Sequence, residues 1–174
     1  MNEIKKKDII TVLHSQNVGY YMKKFCSSLG YDESLCYTIG LLHDVGKIKI
    51  DDDILLKKDT LTNEEFDLMK KHVIYSAEIL KDHNYDDKII EAVLYHHERF
   101  DGSGYVEGLK NKQIPIFSRI LAIIDSFDAL TSFRLYRDPV KYYRALEIIE
   151  QDINKYDKYY FNLFKSFIIN WFGK

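Results

Sequence analysis

Gly40-Leu41-Leu42-His43-Asp44-Val45-Gly46-Lys47 ends an otherwise apolar run with an imidazole next to a carboxylate. The run reads as a helix capped by Asp32 and carried through Leu35, Ile39 and Leu42, with Gly46 as its stop and His43 and Asp44 in its last turn. The pattern recurs twice. Ala92-Val93-Leu94-Tyr95-His96-His97 ends a helix capped by Asp86, and Leu121-Ala122-Ile123-Ile124-Asp125 lies inside a helix that Pro115 opens. His14 sits on or beside the apolar stripe Ile9, Leu13, Val18, Met22, Phe25, Leu29 of a helix over 4–29 that Gly30 ends. His72 rides on a helix over 62–80, which opens with the capping box Thr62-Asn63-Glu64-Glu65. Two further helices, over about 139–154 and 157–172, finish the chain. The expectation is an all-α bundle of about six to seven helices in one domain, residues 1–174.

Composition agrees with helices. Of 174 residues 46% are hydrophobic, enough for a core without metal or disulfide staples, and only 8 are Gly and 2 Pro, too few for the turns of a sandwich or barrel. With 25 basic and 27 acidic residues the net charge is −2, so no global positive field draws the chain to a nucleic-acid polymer. An anionic ligand must be caught locally. No apolar run is long enough to span a membrane, because Asn162 and Lys165 break even the aromatic C-terminus. Ile9 to Leu13 is too short for a signal peptide. Cys26 and Cys36 lie in apolar helical patterns outside any CxxC, as core residues of a reducing cytoplasm would.

Carboxylates and imidazoles on apolar helices need partners, since a lone buried carboxylate costs several kcal/mol or loses its charge. One metal centre would relieve them together, and imidazole with carboxylate and no thiolate suits iron, manganese or zinc. Taken singly the signals are weak. A lone imidazole on an apolar face, such as His14 or His72, is ordinarily a hydrogen-bonded core residue, and His43 can simply complement a helix C-terminus. His83, in an Asp-His-Asn stretch between helices, reads as solvated.

As an ordered set these residues resemble the HD-GYP branch of the HD-superfamily phosphohydrolases. His43-Asp44-Val45-Gly46-Lys47 is similar to the HDxGK signature. His96-His97-Glu98-Arg99-Phe100-Asp101-Gly102-Ser103-Gly104-Tyr105 resembles HHExxDGxGYP, and Asp125-Ser126-Phe127-Asp128-Ala129-Leu130-Thr131-Ser132-Phe133-Arg134-Leu135-Tyr136-Arg137 resembles DxxDALTSxRPY[KR]. The likeness runs from His14 to about Tyr156-Asp157. It implies an HD-domain helical bundle with a metal centre in a cleft, and hydrolysis of cyclic di-GMP to linear pGpG. One divalent ion would take His14, His43, Asp44 and Asp125, and a second His72, His96 and His97, with Asp44 bridging. The pair would be iron or manganese, with zinc also compatible. Two such ions about 3.5 to 4 Å apart provide hydroxide at neutral pH and stabilise both oxygens of an in-line phosphoryl displacement.

The same resemblance assigns Lys47 to the scissile phosphate as a catalytic group beside Asp44, and Tyr105, Asp128, Arg134 and Arg137 to the substrate. Three departures stand out. Ile10 replaces the Glu that supplies a third metal in some members, so two ions and the first cut are expected rather than complete conversion to GMP. Val106 and Leu135 replace two prolines, which should loosen the substrate loops. The alternatives are an HD hydrolase of another cyclic or linear dinucleotide, and a binding module that has lost turnover. The aromatic run over 159–172 is a core helix or a surface for a second chain or a regulatory partner.

Overall fold

The computed structural model describes residues 9–133 and 138–173. Arg134, Leu135 and Arg137 lie outside the described residues. Nine α-helical segments and no strand occur among those described: α1 (Ile9–Ser28), α2 (Glu33–Leu42), the single turn α3 (Asp52–Leu55), α4 (Asn63–Lys70), α5 (His72–Asp82), α6 (Asp87–Leu94), α7 (Ile116–Thr131), α8 (Tyr142–Gln151) and α9 (Lys158–Phe172). The caps legible in the sequence form as expected. The side chains of Asp32, Thr62 and Asp86 accept backbone N–H bonds at the starts of α2, α4 and α6, and Thr62 and Glu65 make the reciprocal capping box. Gly30 ends α1 with φ +81°, a left-handed conformation that costs glycine little, and Tyr31 N–H returns to the Cys26 carbonyl.

Three boundaries differ from the sequence reading, one being that the helix expected to end on His96 and His97 ends at Leu94. The helix expected over 62–80 is two, broken at Lys71, whose N–H turns back to Leu68. The helix expected to end at Gly46 ends at Leu42, and Asp44 leads into a 3-10 turn, Val45–Lys49. At the last of these places the turn leaves His43 Nε2 3.3 Å from Asp44 Oδ2.

α7 is the central element. Ile120, Leu121, Ile123, Ile124 and Phe127 are all fully buried, so it is enclosed on nearly every side by α1, α2, α6, α8 and α9. Phe25, Phe127 and Phe164 meet edge to face, the Phe164 centroid lying 5.2 Å from each of the other two. α1 and α2 cross at Gly19 and Gly40, where a Cβ on Gly40 would stand 2.7 Å from the Gly19 Cα. Cys26 and Cys36 are free and fully buried in this core. Phe161, Phe164 and Ile168 of α9 are buried, whereas Tyr159, Ile169 and Trp171 face outward. Among the described residues no helix is long and apolar enough to cross a membrane.

Candidate metal centre

Five imidazoles and two carboxylates from five helical segments converge beside the C-terminal half of α7, which carries Asp125. Three of the rings are oriented by the same device. The carbonyls in the last turn of a helix lack intrahelical donors, and His43, His96 and His72 each bond through Nδ1 to the carbonyl three residues upstream: Gly40 at 2.7 Å, Val93 at 2.6 Å and Met69 at 2.8 Å. A carbonyl only accepts, so Nδ1 carries the proton and Nε2 of each ring is left with its lone pair. The Nε2 atoms of His43, His72 and His96 are buried with no hydrogen-bond partner. Three orphaned lone pairs in one interior suit a cation.

The carboxylates stand where that cation would need them. Asp44, 2% exposed, lies between two groups of imidazoles, with Oδ1 3.2 Å from His72 Nε2 and Oδ2 3.3 Å from His43 Nε2. Asp125 Oδ1 is 3.0 Å from His14 Nε2 and 3.8 Å from His43 Nε2. Ligand atoms sharing one ion at bonds of about 2.1 Å lie roughly 3.0–3.5 Å apart, close to these spacings. His14, His43 and Asp125 form one set able to hold a metal, His72, His96 and His97 a second, and His43, Asp44 and His96 a third overlapping both. The donor set therefore fits divalent metal.

The electrostatics follow from burial opposed by pairing. Burial alone would depress His14, but Asp125 and Asp128 raise it to about 9. Burial and the neighbouring imidazoles push His96 down to about 3 and His97 well below its ordinary value. Burial works against ionisation of Asp44 and Asp125, yet Lys47 and His43 hold the first, and His14 the second, well below the usual carboxylate range.

A family model described as HD domain matches residues 1–159. The chain belongs to the HD-domain family. This HD-domain protein is 42% identical over 149 residues to a Thermotoga maritima protein named cyclic di-GMP phosphodiesterase, covering 83% of the chain and 40% of the relative. It is 39% identical over 146 residues to a Vibrio cholerae protein named 3'3'-cGAMP-specific phosphodiesterase 2, covering 79% of the chain and 27% of the relative. The chain spans less than half the length of these curated relatives. Its fold matches the HD domain of the Listeria monocytogenes phosphodiesterase PgpH with a TM-score of 0.72 at 18% identity, over 99% of this chain and 96% of that one. The HD-domain all-α fold is thereby shown.

Of the other residues singled out in the sequence, Lys47 is 19% exposed with Nζ 2.6 Å from Asp44 Oδ2. The half-buried Tyr105 ring lies 5.0 Å from the His97 ring. Asp128, which the family resemblance assigns to the substrate, is 1% exposed, and its Oδ2 is 2.6 Å from His14 Nδ1 while Oδ1 accepts from Ser132 Oγ at 2.8 Å. Both oxygens are engaged behind the His14 ring, whose far nitrogen faces Asp125. Such a partner fixes the ring's orientation and basicity. Replacing Asp128 with alanine is expected to weaken metal binding about 10- to 100-fold, as read by metal titration. His83 is exposed, with Nδ1 on the Ile79 carbonyl, as read from the sequence.

Two residues had no role in the sequence reading. Ser76, fully buried on α5, accepts from Gly46 N–H at 2.7 Å and donates to the His43 carbonyl at 3.0 Å, tying α5 to the turn that carries Asp44. Glu98 is buried under the glycine loop, residues 101–108, which holds three of the eight glycines. Its place in the histidine motif marks Glu98, whereas no local pattern marks Ser76.

Proposed function

We propose that this HD-domain protein is a phosphodiesterase that hydrolyses cyclic di-GMP to linear pGpG, working as one domain, residues 1–174, in the cytoplasm. The observation that carries the reading is Asp44 standing between two groups of buried imidazoles, in a chain 42% identical to a named cyclic di-GMP phosphodiesterase. One main apolar cluster supports the single domain, and two free buried thiols suit a reducing compartment.

His14, His43, Asp44 and Asp125 would hold one divalent ion and His72, His96 and His97, with Asp44, the other, iron or manganese being our assignment. When bound, the pair supplies activated water and neutralises charge on phosphoryl oxygens. The chain's own groups do the rest. The carbonyls of Gly40, Met69 and Val93 keep three imidazoles in the tautomer that presents Nε2. Lys47 holds an ammonium at the rim, paired with Asp44 and partly open to solvent, where a non-bridging phosphate oxygen can take it. Tyr105 offers a phenol beside His97. Arg134 and Arg137 complete the substrate contacts in this proposal. Ile10, with Leu13 and Phe133, walls a cavity of about 200 Å³ beside His14, and an alkyl side chain there offers no third-metal ligand.

The 39% identity to a 3'3'-cGAMP-specific enzyme favours a second reading, another cyclic dinucleotide as substrate. Metal-loaded protein incubated with cyclic di-GMP, 3'3'-cGAMP, cyclic di-AMP and pGpG separates the two. Cyclic di-GMP should be consumed fastest with pGpG accumulating, faster 3'3'-cGAMP turnover would favour the second reading, and no turnover of any would reject both. Replacing Lys47 with alanine should lower turnover about 100-fold with metal content unchanged. Parallel loss of metal would reject its assigned role.

A further inference from the structure

We infer that Glu98 is a positioning residue that clamps the glycine loop over the metal centre and so sets the affinity for substrate. The inference rests on the phosphodiesterase reading only for what that substrate is. Glu98 follows His97 directly and is 2% exposed. Its Oε1 accepts from the N–H groups of Glu107 and Gly108 at 2.6 and 3.0 Å, and its Oε2 accepts from Leu109 N–H at 3.1 Å. Three successive N–H groups converge on one carboxylate because Gly108 takes φ +67°, making a backbone nest of the kind that binds anions. Here the anion is the protein's own.

On the other side of the loop the backbone rests on the histidine motif itself. A Cβ on Gly104 would stand 2.4 Å from the Glu98 Cα and 2.5 Å from the His97 carbonyl oxygen, and Tyr105 N–H points to that same carbonyl at 3.4 Å. Tyr105 is thus set beside His97 by its backbone and its ring, and Glu98 fixes the chain two to four residues further on. This bears on the missing proline. Val106 was expected to loosen the loop, yet the residues immediately after it are held by three charge-assisted hydrogen bonds. A loop ordered before binding costs less to order at binding, so the clamp acts on affinity and leaves the chemistry to the metal centre.

Two variants test this, Glu98→Ala and Glu98→Gln, with hydrogen exchange of the Glu107, Gly108 and Leu109 amides alongside steady-state kinetics. In Glu98→Ala the three amides should exchange at least about tenfold faster while those of α7 do not change. KM for the cyclic dinucleotide should rise about 10- to 100-fold, with kcat within about threefold and metal content at the wild-type level. Glu98→Gln keeps one acceptor oxygen and should fall between, and it carries the test if the alanine variant does not fold. Unchanged exchange and KM in both variants would overturn the inference. So would a fall in kcat and metal content at constant KM, because Glu98 would then shape the histidine turn and not the loop. If wild-type protein turns over no cyclic dinucleotide, the reading of the site fails, while amide exchange still decides the clamp.

Discussion

Replacing Asp44 with alanine is expected to cut turnover at least about a thousandfold, equivalent to roughly 4 kcal/mol of lost transition-state stabilisation, and to release both ions together. The reason is position. Asp44 faces His72 through one oxygen and His43 through the other, at 3.2 and 3.3 Å, and the two imidazoles belong to different groups of donors. Removing it would withdraw an anionic ligand from both of the proposed sites and leave the Lys47 ammonium without its 2.6 Å partner. Neutral imidazoles dominate what remains around His72, and a dication there loses most of its charge compensation. His97→Ala, by contrast, touches only the group formed with His72 and His96. Elemental analysis with turnover measured on the same samples distinguishes the cases. An Asp44→Ala protein that kept two ions, or stayed within tenfold of wild-type activity, would show that Asp44 does not join the two sites.

The second large effect is on stability. Gly46→Ala should destabilise the fold by about 3 kcal/mol, lowering the melting temperature by roughly 6–12 °C for a chain of this size. A Cβ on Gly46 would sit 2.1 Å from the His72 carbonyl oxygen, 2.4 Å from Ser76 N and 2.8 Å from Ser76 Oγ. The two nearest atoms are backbone and cannot rotate aside, so α5 must retreat, taking His72 away from Asp44 and breaking the bonds from Ser76 to Gly46 and His43. Metal affinity should therefore fall with stability. Gly30→Ala is the comparison. Nothing lies within 4 Å of its Cβ, so only the left-handed φ of +81° opposes it, at about 1 kcal/mol. Thermal unfolding measured on both variants tests the contrast, and a Gly46→Ala melting point within about 2 °C of wild type would contradict it.

The helix starts were legible in the sequence because a cap is a local event. Asp32, Thr62 and Asp86 each bond backbone two or three residues away, and spacing alone reveals them. The apolar register of α7 was legible for the same reason. The break at Lys71 was not, because nothing in the capped, periodic stretch from Thr62 to Leu80 marks a stop. The donors that converge are legible as an ordered motif set, yet the job of each depends on contacts far along the chain. The resemblance assigns Asp128 to the substrate, and its partner His14 is 114 residues away on α1, a contact that no local spacing encodes. The tightness at Gly46 depends on the approach of α5, which no local pattern encodes.

Two divalent ions held by the buried imidazoles and carboxylates underlie every effect proposed for this site. Metal stoichiometry of the anaerobically prepared, metal-saturated chain tests it most directly, alongside His14→Ala and His97→Ala. Two ions per chain are expected for the wild type and one for each variant. A wild-type chain that bound no ion at saturating metal, or variants that kept both ions, would contradict it.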